Sequence, residues 1–170
     1  MFLGVYMFKP TYVFNDVTEI SPDFLKKNHI KGLILDLDNT LTTHNNPVPP
    51  ESSLKWLDKM RSAGISLMIV SNNNTDRVTP FAKKLGLDFV PNGAKPLPVG
   101  YIKAKKIMGL KTAEIAAVGD QIFTDVLGCS FMGIRSIFVF PIELETSLPF
   151  RFKRSIEKLF LPKRPKEVKR

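Results

Sequence analysis

The chain is poor in cysteine, in long apolar runs and, near its end, in acidic residues. A single cysteine, Cys129, among 170 residues rules out an internal disulfide and fits a reducing, cytoplasmic setting. No apolar stretch approaches the roughly 20 residues that a membrane-spanning helix needs. The opening MFLGVYMF is apolar but short, and it lacks a basic leader and a small-residue cleavage site. There is no internal repeat and no low-complexity linker. The remainder is ordinary for a folded domain: 44% hydrophobic and 24% charged residues, at a length that favours one domain with a sizeable core.

Acidic residues are scarce where basic ones crowd. The net charge is +9, and residues 151–170 hold nine Lys or Arg against two Glu. That segment therefore carries +7 and leaves only +2 for the other 150 residues. We expect a single catalytic domain over 1–149 and a basic amphipathic tail over 150–170. Phe152, Ile156, Leu159 and Phe160 fall on one face of a helix there, among basic neighbours. This pattern suits a peripheral element on an anionic membrane surface. It equally suits a helix packed on the domain. Nucleic acid is a third and less favoured partner for such charge.

Apolar, β-branched runs at 32–37, 65–70, 114–119 and 134–140 read as buried strands, with a shorter one at 87–91. Helical segments lie between them. One starts at Pro50 and stops at Gly64. Another follows Asn74, with Pro80 expected to kink it or delay its start. A third carries Leu97, Tyr101, Ala104 and Met108, and a short one spans Asp125–Met132. A further helix begins at Ser21-Pro22. The alternation predicts an α/β fold: a doubly wound, Rossmann-like parallel sheet with helices on both faces. Ligands of such folds bind beyond the carboxyl ends of the strands.

The polar residues gather at those ends. Asp36 and Asp38 end the first run, and a hard cation such as Mg²⁺ would relieve two crowded carboxylates. One of them is then able to attack phosphorus while the other handles protons. Ser71 and Asn72 end the second run and offer a neutral cradle for phosphate. Lys95, biased to an extended conformation by Pro96, would screen the acids and hold a phosphate. After the third main run, Asp120 would complete the metal site, and Asp125 suits a partner for bound water or for Lys95, or a helix cap. Taken singly, these signals read as readily as a turn, a cap or a solvated lysine. Among the rest, His44 is read as a loop residue able to touch substrate but more simply surface. Trp56 is read as core or interface and Cys129 as buried on a helix.

The ordered set Asp36-x-Asp38-x-Thr40, Ser71-Asn72, Lys95-Pro96 and Gly119-Asp120-x₃-Thr124-Asp125 resembles the four motifs of the haloacid dehalogenase superfamily, over about residues 30–141. The resemblance implies Asp36 as nucleophile and Asp38 as general acid/base. Ser71 and Lys95 would bind the phosphoryl group, with Asn39, Thr40 and Asn72 as further substrate-binding candidates. Mg²⁺ would lie on Asp36, the backbone carbonyl of Asp38 and Asp120, with Asp125 beside it. An aspartate at 38 favours phosphatase chemistry. More narrowly, Leu35–Leu41, Ile69–Asn74 and Gly119–Gly128 look like the YqeG-type proteins of subfamily IIIA, which are similar to mitochondrial phosphatidylglycerophosphatases. That resemblance implies an anionic phospholipid substrate at the inner face of a membrane. About ten residues separate Thr40 from Pro50, and Gly86 lies close to Lys95. Neither gap has room for the cap domain that covers small substrates in many relatives, so an open site is expected.

Overall fold

A computed structural model describes residues 7–44, 46, 48–143, 155–157, 159–161 and 163–165. Six strands form one sheet: β1 (Tyr12–Phe14), β2 (Gly32–Leu35), β3 (Ser66–Val70), β4 (Asp88–Val90), β5 (Ile115–Gly119) and β6 (Arg135–Val139). Their order is β1-β6-β5-β2-β3-β4, and every pairing is parallel. The expected α/β sheet is present, with one strand more than expected. β1 is three residues long and half-buried, too short to leave a periodic signal. β2 also stops sooner than its apolar run, so Asp36 sits at the start of a loop rather than in the strand.

Among the described residues, five α-helices connect the strands: α1 (Pro22–Lys27), α2 (Glu51–Ser62), α3 (Thr75–Leu85), α4 (Val99–Met108) and α5 (Leu127–Met132). A π-helical turn, Ile122–Val126, leads into α5. The Ser21 hydroxyl accepts from Phe24 N–H at the start of α1. The Asn74 side chain likewise accepts from Arg77 N–H at the start of α3. α3 runs unbroken through Pro80, against expectation. Pro80 lacks only its own donor there, and Val78, Phe81, Ala82 and Leu85 bury the face that holds the helix in place. Gly86, at φ +60°, ends α3 in the left-handed conformation that glycine adopts without strain. Leu97 is not part of the buried stripe of α4: it precedes the helix and is 58% exposed.

Alternation along the strands sorts side chains into two cores. Leu33 and Leu35 of β2 join Leu67 and Ile69 of β3 under α1, α2 and α3. Ile34, Met68 and Val70 face the other way, onto Tyr101, Ala104 and Cys129 of α4 and α5. Helices therefore cover both faces, which is why the strands read as continuous apolar runs. Trp56 lies in the first core, as expected, and its Nε1–H donates to the Ile20 carbonyl at 2.8 Å. Among the described residues, 36–50 and 91–98 contain no helix and no named strand. No helix among them is long and apolar enough to cross a membrane.

Part of the tail packs on the domain. Glu157 is fully buried and accepts from Phe123 N–H at 3.1 Å. The Phe160 ring lies 5.0 Å from that of Phe8, while Leu159 is 81% exposed. The expected common apolar face is thus split: Phe160 packs on the domain, while Leu159 does not. Phe152 and residues 144–154 and 166–170 lie outside the described residues.

Candidate active site

Strand order places the site. β2 is central, with β5 on one side and β3 on the other. The loops that follow these strands supply Asp36 and Asp38, Ser71 to Asn73, and Asp120 to Asp125. The loop after β4 adds Lys95. A cavity of about 180 Å³ opens there, bounded by Asp36, Asp38, Ser71, Asn72, Lys95 and Thr124.

Lys95 is the hub. Its Nζ donates to Asp36 Oδ1 at 2.5 Å and to Asp125 Oδ1 at 2.6 Å, and its side chain is 3% exposed. Burial alone would lower its pKa, but the two carboxylates outweigh burial and push it above the usual lysine range. Asn72 holds the loop. Its Oδ1 accepts from Lys95 N–H at 2.6 Å and its Nδ2 donates to the Lys95 carbonyl at 2.9 Å. The backbone of Lys95 thereby occupies the side chain of Asn72, an expected substrate contact. Ala94 and Asn92, in the same loop, adopt left-handed backbones at φ +53° and +49°. For a non-glycine residue this conformation costs roughly 1–2 kcal/mol and tends to mark functional loops.

Burial raises the Asp36 carboxyl to about 6. The Lys95 charge partly offsets that rise, and the Asp125 charge adds to it. Asp125 is itself held by Gln121 N–H at 3.2 Å. Gly119 lets Asp125 approach: a Cβ on Gly119 would lie 2.3 Å from Asp125 Cγ. Asp36, Asp120 and Asp125 each bring a carboxylate oxygen within 4.8 Å of the others. A hard divalent cation fits such an all-oxygen set.

Asp38 stands apart from this cluster. Arg77 Nη2 donates to its Oδ1 at 2.7 Å, and Asn73 Nδ2 donates to its Oδ2. His44 Nδ1 lies 3.7 Å away, so this loop histidine borders the cavity. Sequence reading missed Arg77 and Asn73. Arg77 is 39 residues from Asp38, and only its place in the first turn of α3 hinted that it could reach the strand ends. Ser71 borders the cavity, and its Oγ accepts from Asn73 N–H at 3.1 Å. Thr40 Oγ1 approaches Asp36 Oδ2 at 3.5 Å. Asn39, a further substrate-binding candidate, is not among the residues that bound the cavity. It is buried at φ +63°, and its Oδ1 accepts from Glu143 N–H at 3.3 Å.

Residues 43–133 match the haloacid dehalogenase-like hydrolase family. The chain is also 36% identical over 154 residues to the probable phosphatase YqeG of Bacillus subtilis, covering 91% of this chain and 90% of that one. The chain belongs to the haloacid dehalogenase-like hydrolases. The relative and the residue set together make it a phosphatase of that family. The family match starts after Asp36 and Asp38, so the geometry brings those two residues to the site independently. The mitochondrial phosphatidylglycerophosphatase GEP4 of Saccharomyces cerevisiae is 29% identical over 126 residues, covering 65% of this chain and 66% of that protein. The fold also resembles a 4-nitrophenylphosphatase from Thermotoga maritima. The TM-score is 0.57 at 14% identity, covering 72% of this chain and 89% of that one.

Proposed function

We propose that this phosphatase is a magnesium-dependent phosphomonoesterase that carries the phosphoryl group on Asp36 and acts on phosphatidylglycerophosphate at a membrane surface. The observation that carries the reading is the division of labour between the two aspartates. Asp36 lies against Lys95 and the acid cluster, while Asp38 is held separately by Arg77.

An Asp36 oxygen attacks phosphorus, and the bond to the leaving alkoxide breaks. Asp38 delivers a proton to that alkoxide. Asp38 then takes a proton from the water that attacks the phosphorus of the aspartyl-phosphate, returning Asp36 as a carboxylate. The Lys95 ammonium faces the charge on the phosphoryl oxygens, and Ser71 offers its hydroxyl to one of them. Asp36, Asp120 and the Asp38 carbonyl would hold Mg²⁺, with Asp125 beside it and fixing Lys95. When bound, the cation supplies positive charge against the transferring phosphoryl group.

The lipid assignment rests on the likeness to a phosphatidylglycerophosphatase and on the short connections around the site, which suit a headgroup presented on a surface. In this reading residues 1–149 form the catalytic unit, and the basic residues 150–170 help to hold it at the inner face of the membrane. The test is phosphate release from phosphatidylglycerophosphate in mixed micelles with Mg²⁺. Wild type should release phosphate, and both EDTA and Asp36→Asn should abolish release. Turnover of p-nitrophenyl phosphate without release from the lipid would keep the chemistry and discard the lipid in favour of a soluble phosphomonoester or phosphoprotein.

A further inference from the structure

We propose that the outward face of α4, with the loop leading into it, docks on an anionic lipid bilayer and sets the cavity against the headgroups. This rests on the lipid-phosphatase reading above. Tyr101 and Ala104 settle which side of α4 faces inward, since both are buried against the sheet. On the other side, Val99, Ile102, Lys103 and Lys106 recur at helical spacing. Ile102 is 50% exposed and Val99 47%; Lys103 and Lys106 are exposed too. Leu97, 58% exposed, extends the apolar strip towards the site.

Two features favour a membrane over a protein partner. Residues 96–113 contain four lysines and no Asp or Glu, so the surface is complementary to negative charge. Protein interfaces are depleted in lysine, whereas helices that lie on lipid combine lysine with exposed aliphatic side chains. Position favours the membrane as well. Leu97 is two residues beyond Lys95, whose ammonium lies in the cavity, so the strip begins at the rim of the site. A face buried in the headgroup layer would bring a lipid phosphomonoester to the cavity without lifting the acyl chains out of the bilayer.

The test uses the full chain and co-sedimentation with vesicles of phosphatidylcholine alone or with one quarter phosphatidylglycerol. Wild type should bind the anionic vesicles, and added salt should weaken binding. Ile102→Glu and Lys103→Glu should each lower the partition coefficient at least about tenfold, because each puts a negative charge on the docked face. Turnover of p-nitrophenyl phosphate should stay at the wild-type level, which shows that the variants fold. Wild-type binding by both variants would overturn the proposal and assign the membrane to the tail. So would absence of vesicle binding by a wild type that hydrolyses the lipid in micelles. A self-association that Ile102→Glu abolishes would overturn it in favour of a second copy of the chain. Failure to hydrolyse the lipid in micelles would instead count against the substrate reading, whatever the vesicles show.

Discussion

Gly119→Ala puts one methyl group against the site without replacing any ionisable residue. The new Cβ would lie 2.3 Å from Asp125 Cγ and 2.5 Å from its Oδ2. To reach ordinary contact near 3.4 Å, the carboxylate must withdraw by about 1.1 Å. Its bonds to Lys95 at 2.6 Å and to Gln121 N–H at 3.2 Å do not both survive that move. Crowding of this kind costs about 1–3 kcal/mol, and each kcal/mol lowers Tm by roughly 2–4 °C for a chain of this size. A displacement near 1 Å in a catalytic constellation is worth up to about 10²-fold in rate. Thermal unfolding by circular dichroism and p-nitrophenyl phosphate turnover across a Mg²⁺ titration measure both effects. The expected variant is folded, modestly destabilised and slowed about a hundredfold. A kcat/KM within about threefold of wild type, with unchanged Tm, would show that the placement of Asp125 does not govern the site.

The raised Asp36 carboxyl gives opposite pH trends for stability and activity. Between the usual 3.8 and about 6, the cation-free folded chain keeps a proton that the unfolded chain has released. Stability from this group is therefore full below that window and lost as pH rises through it, by on the order of 2–3 kcal/mol. Denaturant melts in EDTA should show that fall, and Asp36→Asn should flatten it. On the proposed mechanism attack needs the carboxylate, which a bound cation would favour, so single-turnover rates with Mg²⁺ should instead rise with pH, and do so below that window. Trp56→Phe leaves the buried Ile20 carbonyl without its donor and should cost about 1–3 kcal/mol in urea unfolding, with little change in kcat. Burial pushes the Cys129 thiol well above its usual range. A thiol reagent at pH 8 should therefore leave native protein unmodified and label it quickly in denaturant.

The sheet was legible because strands covered on both faces write long apolar runs, and Asp36, Lys95 and Asp125 were picked out because they lie at or within a few residues of the ends of such runs. β1 was not. Three half-buried residues carry no period, and only the pairing with β6 makes them a strand. Arg77 and Asn73 were missed for another reason. Their roles depend on the angle at which α3 meets the end of β2, and a chain read residue by residue does not contain that angle. Asn39 was singled out by its motif alone. It sits inside a chemically rich motif, yet its left-handed backbone turns its amide to Glu143. Pro80 was read as a break because propensity was weighed without the buried face of α3 that overrides it.

Strand order also bears on how the molecule is made. Among the described residues, β1 has β6 as its only neighbour in the sheet, and β6 is the last strand in sequence. During synthesis Tyr12–Phe14 must wait for Arg135–Val139, more than a hundred residues later. β2 must likewise wait for β5 on one of its sides. Such distant pairings carry a high contact order and close slowly. A chain stopped before residue 135 would leave β5 as a bare edge and β1 without a partner, the kind of surface that invites aggregation. The acid cluster spans both sides of that late closure, so the candidate site is assembled only once β5 has joined β2.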